Sequence, residues 1–221
     1  MTITYAFDVY GTLIDPLAMA SHLTTIAEDK APQIASLWRE KQLEYTFRRG
    51  LMRAYVPFDQ VTAEALDFAS ESAGVSMTRE QKGQLLTQYR TLDAFPDTAP
   101  ALQQLRTNGH AMWAFSNGTP QDLGALLTHA DVLTLLDGVV SVNEVQSFKP
   151  DPAVYARFCE RANSEPDQTC LVSSNPFDVI GATNCGWQTV WVKRTDTAQF
   201  DPWSGFAPDR IIASLRELTQ T

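Results

Sequence analysis

The sequence predicts an α/β protein, a doubly wound parallel sheet with a helical cap inserted after its first strand. Three observations carry this. Tyr5-Ala6-Phe7-Asp8 is an apolar run that ends on one carboxylate and turns at Gly11-Thr12, as a buried parallel strand does when it delivers a side chain to its carboxyl end. Residues 16–95 show helical spacing and no strand-like alternation. From residue 97 onward, short apolar runs alternate with helical segments, which implies right-handed strand–helix–strand crossovers.

In chain order, the first strand is expected over about 3–9. Helices over 16–29, 33–49, 59–74 and 78–90 follow, separated by Pro32, by the Val56-Pro57-Phe58-Asp59 break and by Gly74. They form a helical subdomain, 16–95, standing over the strand ends of a core made from 1–15 and 96–221. Helix 98–108 ends at Asn108-Gly109, a C-cap pair. Strand 111–116, helix 120–129, a short strand 138–142, helix 152–163, strand 169–174, helix 177–186 and strand 188–193 come next. A final helix is expected over 208–219, after one long irregular stretch, 195–208.

The chain has 221 residues, 44% hydrophobic and 19% charged, a globular rather than disordered balance. It contains no apolar run long enough to span a bilayer and begins without a basic, then apolar, leader, so no membrane and no secretion are expected. A net charge of −9 argues against nucleic acid as a partner. Cys159, Cys170 and Cys185 are odd in number and far apart, and His22, His110 and His129 form no ligand cluster. The expectation is inert thiols, no metal, no cofactor and a cytoplasmic location.

Four strand ends carry polar groups: Asp8 with Thr12, Ser116-Asn117-Gly118, Lys149-Pro150, and Ser173-Ser174-Asn175 with Asp178. In a parallel sheet all four lie at one edge, where such folds place ligands. A carboxylate there can act as a nucleophile whose ester splits one displacement into two easier steps. Lys149 can neutralise it, Ser116 and Asn117 can donate to substrate or leaving group, and Asp178 can activate water.

Phe7-Asp8-x-x-Gly-Thr-Leu, Ser116-Asn117-Gly118, Lys149-Pro150-Asp151-Pro152 and a later strand leading to Asp178 resemble the haloacid dehalogenase superfamily, whose fold is a Rossmann-like core with a helical cap. Most members are Mg-dependent phosphatases. Those carry a second Asp two residues after the nucleophile, where Tyr10 stands here, and a Gly-Asp pair where Ser173-Ser174 stands. Asp8-Val9-Tyr10-Gly11-Thr12, Trp38-Arg39 through Tyr45, Lys149-Pro150-x-Pro152-x-x-Tyr155, Ser173-Ser174-Asn175-x-x-Asp178 and Phe206-Ala207-Pro208-Asp209 are instead similar to the L-2-haloacid dehalogenases.

That resemblance implies hydrolysis of small (S)-2-haloalkanoic acids to (R)-2-hydroxy acids and halide, without metal or cofactor, in a homodimer. A Mg-dependent phosphatase is the alternative. Asp8 would attack the halogen-bearing carbon, and Asp178 would activate the water that hydrolyses the ester. Lys149 would orient Asp8 with Tyr155 and Ser173, and Thr12 and Asn175 would hold the carboxylates. Ser116 would bind the substrate carboxylate, Arg39 and Asn117 would receive halide, and Tyr10, Gln42, Leu43, Phe58 and Phe177 would wall the pocket.

Physics supports the dehalogenase reading. An anion attacking an anion needs cations nearby, and a unit charge at ~4 Å is worth roughly 4 kcal/mol at an effective dielectric near 20. Halide leaves without a proton, whereas an alkoxide leaving a phosphate ester would miss the acid absent at Tyr10. Competing readings stand beside several residues. Arg39 shares its helix with Glu40, Lys41 and Glu44, so a solvated face is one, and Tyr155, Phe58 and Phe177 could be core.

Overall fold

The structure, a computed structural model, describes residues 3–219. Its centre is a six-stranded parallel sheet with strand order β3-β2-β1-β4-β5-β6. The strands are β1 (Thr4–Phe7), β2 (Ala111–Ser116), β3 (Gly138–Ser141), β4 (Thr169–Ser173), β5 (Gln188–Val192) and β6 (Arg210–Ile212). β1 lies between β2 and β4, with Phe7 level with Ala114 on one side and Val172 on the other. The chain therefore builds outward from β1 in one direction and then returns to build in the other. That reversal makes the carboxyl end of β1 the switch point at which open α/β sheets form a crevice. Tyr5, Ala6 and Phe7 are buried, and the Asp8 N–H still pairs with the Val172 carbonyl at 3.0 Å. Asp8 is thus held on the frame of the sheet.

Between β1 and β2 lie α1 (Met19–Ala27), α2 (Ala31–Met52), α3 (Phe58–Ser72), α4 (Arg79–Gln88) and α5 (Thr98–Thr107). Pro32 does not interrupt α2 but sits in its first turn, where the missing N–H costs nothing. Ala31, Ile34, Ala35, Trp38, Gln42 and Thr46 form its buried stripe, at a spacing that follows the helical period. Pro57 caps α3, Gly74 takes the left-handed position after it at φ +67°, and Thr78 with Gln81 forms a capping box on α4. The expected helix over 16–29 divides into a short turn, Pro16–Ala18, and α1, which stops where Glu28 adopts φ +49°.

The chain leaves and re-enters the sheet region at adjacent points. Ile14 bridges Ala94, and the Phe95 N–H and the Thr98 hydroxyl both donate to the Leu13 carbonyl, at 2.9 and 3.0 Å. Arg194, after β5, clamps both crossings by donating to the Thr12 carbonyl and pairing with Asp97 at 2.8 Å.

The remaining helices are α6 (Pro120–His129), α7 (Pro152–Ala162) and α8 (Pro176–Asn184). The expected C-terminal helix over 208–219 is corrected by the structure. Arg210-Ile211-Ile212 pairs alongside Val190-Trp191-Val192 as β6, and only a short turn, Leu215–Thr219, is helical. Two β-branched residues suit an edge strand, and the Asp209 carboxylate pins its start by accepting from the Thr189 N–H at 2.8 Å. Leu215 and Leu218 are still buried, as the apolar spacing implied.

Under the carboxyl edge Phe115, Tyr155, Phe158 and Trp187 pack ring on ring, with centroids 5.1–5.9 Å apart. This apolar floor keeps water and dielectric response low beneath the polar groups above it. Among the described residues no helix is long and apolar enough to cross a membrane.

Candidate active site

Asp8 is buried and held from three directions. Its Oδ2 accepts from the Thr12 hydroxyl and the Asn175 amide, both at 2.8 Å, and its Oδ1 accepts from Lys149 Nζ at 3.2 Å. Gly11, at φ +93°, lets the chain turn so that Thr12 faces back to Asp8. Ser174 completes this corner: its N–H donates to Thr12 Oγ1 at 2.9 Å and its hydroxyl to the Gly11 carbonyl at 2.7 Å. The Asn175 side chain donates to Asp8 and to the Tyr10 carbonyl, so its oxygen is left to face Arg39. All three side-chain partners of Asp8 are donors, so both carboxylate oxygens act as acceptors.

Lys149 is 1% exposed, and its ammonium protons are all committed. They go to Asp8, to the Phe115 carbonyl at 2.8 Å and to Asp178 Oδ2 at 2.8 Å, and the charge lies 4.0 Å from the centre of the Phe115 ring. Lys149 therefore bridges two carboxylates and is nearer Asp178 than Asp8. Asp178 is fully buried at the first turn of α8, and its Oδ1 accepts from the Tyr155 hydroxyl at 2.8 Å. Burial pushes its pKa above the usual carboxylate value, Lys149 pulls it back, and the Asp8 charge pushes it further up. Burial and the Asp178 charge also hold the Tyr155 phenol well above its usual value, so it remains a donor.

Two expected roles are corrected. Tyr155 and Ser173 do not orient Asp8. Tyr155 lies below Asp178 and fixes that carboxylate, and the Ser173 hydroxyl accepts from the Asn175 N–H at 3.1 Å, shaping the loop that carries Asn175. Gln42 is not a pocket wall. It is wholly buried behind Arg39, where its Oε1 accepts from Arg39 at 2.7 Å and from the Tyr89 hydroxyl at 3.1 Å, and its amide donates to Thr62 at 2.7 Å. Its chemistry is spent on aiming the guanidinium.

The other expected residues do converge. Arg39 reaches over from α2 and donates to the Tyr10 carbonyl at 3.1 Å. With Tyr10, Leu43, Phe58, Ser116, Asn117 and Phe177 it closes a tight space over Asp8 and Lys149, with only about 10 Å³ open to a water-sized sphere. Tyr10 stacks on Tyr89 and leans on Phe58, and Phe177 meets Phe47 edge to face at 4.9 Å. Among the described hydrogen bonds, the Ser116 hydroxyl only accepts, from the Gly118 N–H at 3.2 Å. The Asn117 oxygen accepts from the Lys149 N–H at 3.0 Å. The Ser116 proton and the Asn117 amide protons thus remain for a ligand.

Sequence reasoning missed Ser174 and Tyr89 as supports, the Phe115 carbonyl as a lysine acceptor, and Gly181. A Cβ at Gly181 would lie 2.3 Å from the Tyr155 hydroxyl and 2.7 Å from Pro150. Gly181→Ala is expected to push Tyr155 off Asp178, lowering turnover and costing about 1–3 kcal/mol of stability by overpacking. Urea unfolding and kcat measured on one preparation check both, and wild-type values for both would contradict this role.

The residues do not suit a divalent cation. Asp8 and Asp178 both point at the Lys149 ammonium, which would oppose the ion, and among the described residues no three acidic, Cys or His side chains gather elsewhere.

A family model described as haloacid dehalogenase-like hydrolase matches residues 4–186. (S)-2-haloacid dehalogenase 1 of Pseudomonas sp. (strain CBS-3) is 40% identical over 216 residues, 97% of this chain and 93% of the relative. The structure of L-2-haloacid dehalogenase from Xanthobacter autotrophicus with chloropropionic acid covalently bound superposes with a TM-score of 0.91 at 31% identity, covering 100% of this chain and 98% of that one. A further L-2-haloacid dehalogenase structure gives a TM-score of 0.95 at 33% identity over 100% and 98% of the two chains. The chain, with its carboxylate-bearing strand end and its lysine-bridged pair of carboxylates, belongs to the haloacid dehalogenase-like hydrolases.

Proposed function

We propose that this chain hydrolyses small (S)-2-haloalkanoic acids to (R)-2-hydroxy acids and halide through an ester on Asp8, with no metal in the reaction. The observation that carries the reading is the Lys149 ammonium shared by Asp8 and Asp178 beneath a small cavity walled on one side by Tyr10, Leu43, Phe58 and Phe177 and overlooked by Arg39. The names of the relatives point the same way.

The substrate carboxylate accepts from the Ser116 hydroxyl and nearby backbone N–H groups. An Asp8 oxygen attacks C2 from the side opposite the halogen. The C–O bond forms as the C–X bond breaks, the pair of electrons leaves with X⁻, and C2 inverts. Arg39 and the Asn117 amide receive the halide. Asp178 then takes a proton from water as its oxygen adds to the Asp8 carbonyl carbon. The tetrahedral intermediate collapses, the acyl–oxygen bond breaks, and the departing alkoxide recovers the proton from Asp178. Asp8, left as the carboxylic acid, gives its remaining proton to solvent, and aspartate and one 2-hydroxy acid result. Tyr10, Leu43, Phe58 and Phe177 exclude bulk water, and Thr12 and Asn175 hold Asp8 against rotation.

The helices from α1 to α4 serve in this reading as a cap subdomain, 16–95, because α2 brings Arg39 and Leu43 to the site. On the resemblance we extend the proposal to a homodimer in the cytoplasm, which light scattering on the purified chain would check for subunit number.

The test is halide release from L- and D-2-chloropropionate in EDTA, with p-nitrophenyl phosphate and Mg²⁺ in parallel. Release from the L isomer in EDTA is expected. Phosphate-ester hydrolysis that requires Mg²⁺, without halide release, would overturn the reading.

A further inference from the structure

Beside the reaction cavity lies a second, open cleft of about 550 Å³, between the C-terminal half of α2 and the Lys149–Pro152 segment. Its walls are chiefly apolar: Phe47, Leu51, Phe148, Pro150 and Trp203. Lys149 and Phe177 belong to both spaces, so the two are neighbours across one layer of side chains. Phe47 lines the cleft alone and closes on Phe177 edge to face, with ring centroids 4.9 Å apart. Leu51 and Trp203 remain 89% and 61% exposed along the cleft, an apolar surface wider than short acids need.

We propose that the Phe47–Phe177 pair is the chain-length gate of this enzyme, and that the cleft behind it is a tail site for the alkyl chains of longer 2-haloalkanoic acids. This rests on the dehalogenase reading. With the rings together, the space over Asp8 is only about 10 Å³ and leaves no room for an alkyl tail beyond C2. With the gate open, C2 stays at Asp8 while the tail runs past Phe177 into the cleft, where each methylene leaves water. Lys149 keeps its three partners throughout, because the tail passes the ring of Phe177 and not the ammonium.

Gly50 supplies an independent handle. It lines the cleft, and a Cβ there would meet nothing within 4 Å, so a large side chain can fill the cleft without disturbing α2. Such a substitution also removes a helix-interior glycine, which favours folding.

The experiment measures kcat/KM for racemic 2-bromopropionate and 2-bromooctanoate by halide release. Phe47→Ala is expected to raise the octanoate-to-propionate ratio by about fourfold for each methylene that reaches the cleft. Adding Gly50→Phe is expected to cancel that gain, while Gly50→Phe alone leaves 2-bromopropionate turnover at the wild-type level. Should Phe47→Ala not fold, Phe47→Leu, which keeps most of the volume but loses the ring, is expected to shift the ratio in the same direction. A ratio within about twofold of wild type in the folded Phe47 variant would overturn the gate, as would a gain that survives Gly50→Phe. A change in subunit association by light scattering in Gly50→Phe, with the ratio untouched, would make the cleft an interface between copies and also overturn it. Failure of the wild type on 2-bromopropionate would remove the dehalogenase reading and the gate together, whereas turnover with an unmoved ratio removes the gate alone.

Discussion

Asp8→Asn is expected to abolish halide release, with a loss on the order of 10⁶-fold, while the chain stays folded. The magnitude is that of deleting a covalent nucleophile from a site whose other groups act through it. Asparagine keeps the shape; with its oxygen toward Thr12 and Asn175 its amide faces Lys149, which loses one acceptor and keeps the Phe115 carbonyl and Asp178. The electrostatics also favour survival of the fold. In the native site one ammonium serves two buried carboxylates, and removing one leaves a neutral Lys149–Asp178 pair. The Asp178 pKa is expected to fall in this variant, because one of the causes raising it is the Asp8 charge. Halide release followed over hours, with circular dichroism on the same sample, checks both parts. A folded variant within about 10²-fold of wild type would mean that the displacement does not pass through Asp8.

Much of this site could be read from the chain because polar residues interrupt apolar strands at their ends. Asp8, Ser116 and Ser173 each close a buried run, and in a parallel sheet such ends share an edge. Lys149 and Asp178 follow β3 and β4 by short turns, so local pattern also locates them. Roles were harder than positions. Nothing in the string says that Tyr155 aims at Asp178 rather than Asp8, since this depends on how α7 lies against α8 and on Gly181 making room. Gln42 and Leu43 are neighbours in sequence, yet one turns into the packing with Tyr89 and Thr62 and the other into the cavity. Their helix carries charge and apolar residues on several faces, which blurs its period. The Phe115 carbonyl leaves no sequence signal at all. β6 reads as part of a helix in the sequence because three residues are too few to show a period of two, and Leu215 and Leu218 mimic a helical spacing.

Asp178→Asn is expected to separate the two halves of the reaction. Alkylation of Asp8 needs the nucleophile, Lys149 and the halide donors, all of which remain. Hydrolysis of the ester needs a base, and an amide is none. One halide per subunit should therefore be released, after which turnover stops, with a loss of about 10⁴-fold or more in the steady state. Intact-mass analysis should show the chain heavier by one 1-carboxyalkyl group, and peptide mapping should place it as an ester on Asp8. The pH dependence of the native enzyme follows from the same group. Burial and Asp8 hold Asp178 above the usual value of 3.8 despite Lys149. The folded chain thus keeps this proton at pH values where an unfolded chain has lost it. Two consequences follow. The base form of the free enzyme is lost earlier on acidification, whereas in the ester Asp8 carries no charge and Lys149 still faces Asp178, so the acidic limb of ester hydrolysis should lie below the pH at which Asp178 of the free enzyme takes its proton. This group's contribution to stability is greatest at low pH and declines as pH rises through the window between the ordinary and the raised value. Rapid-quench measurement of ester hydrolysis against pH reads the limb directly. A folded Asp178→Asn variant that turns over without accumulating adduct would show that another group activates the water, and the acidic limb would then belong to that group instead.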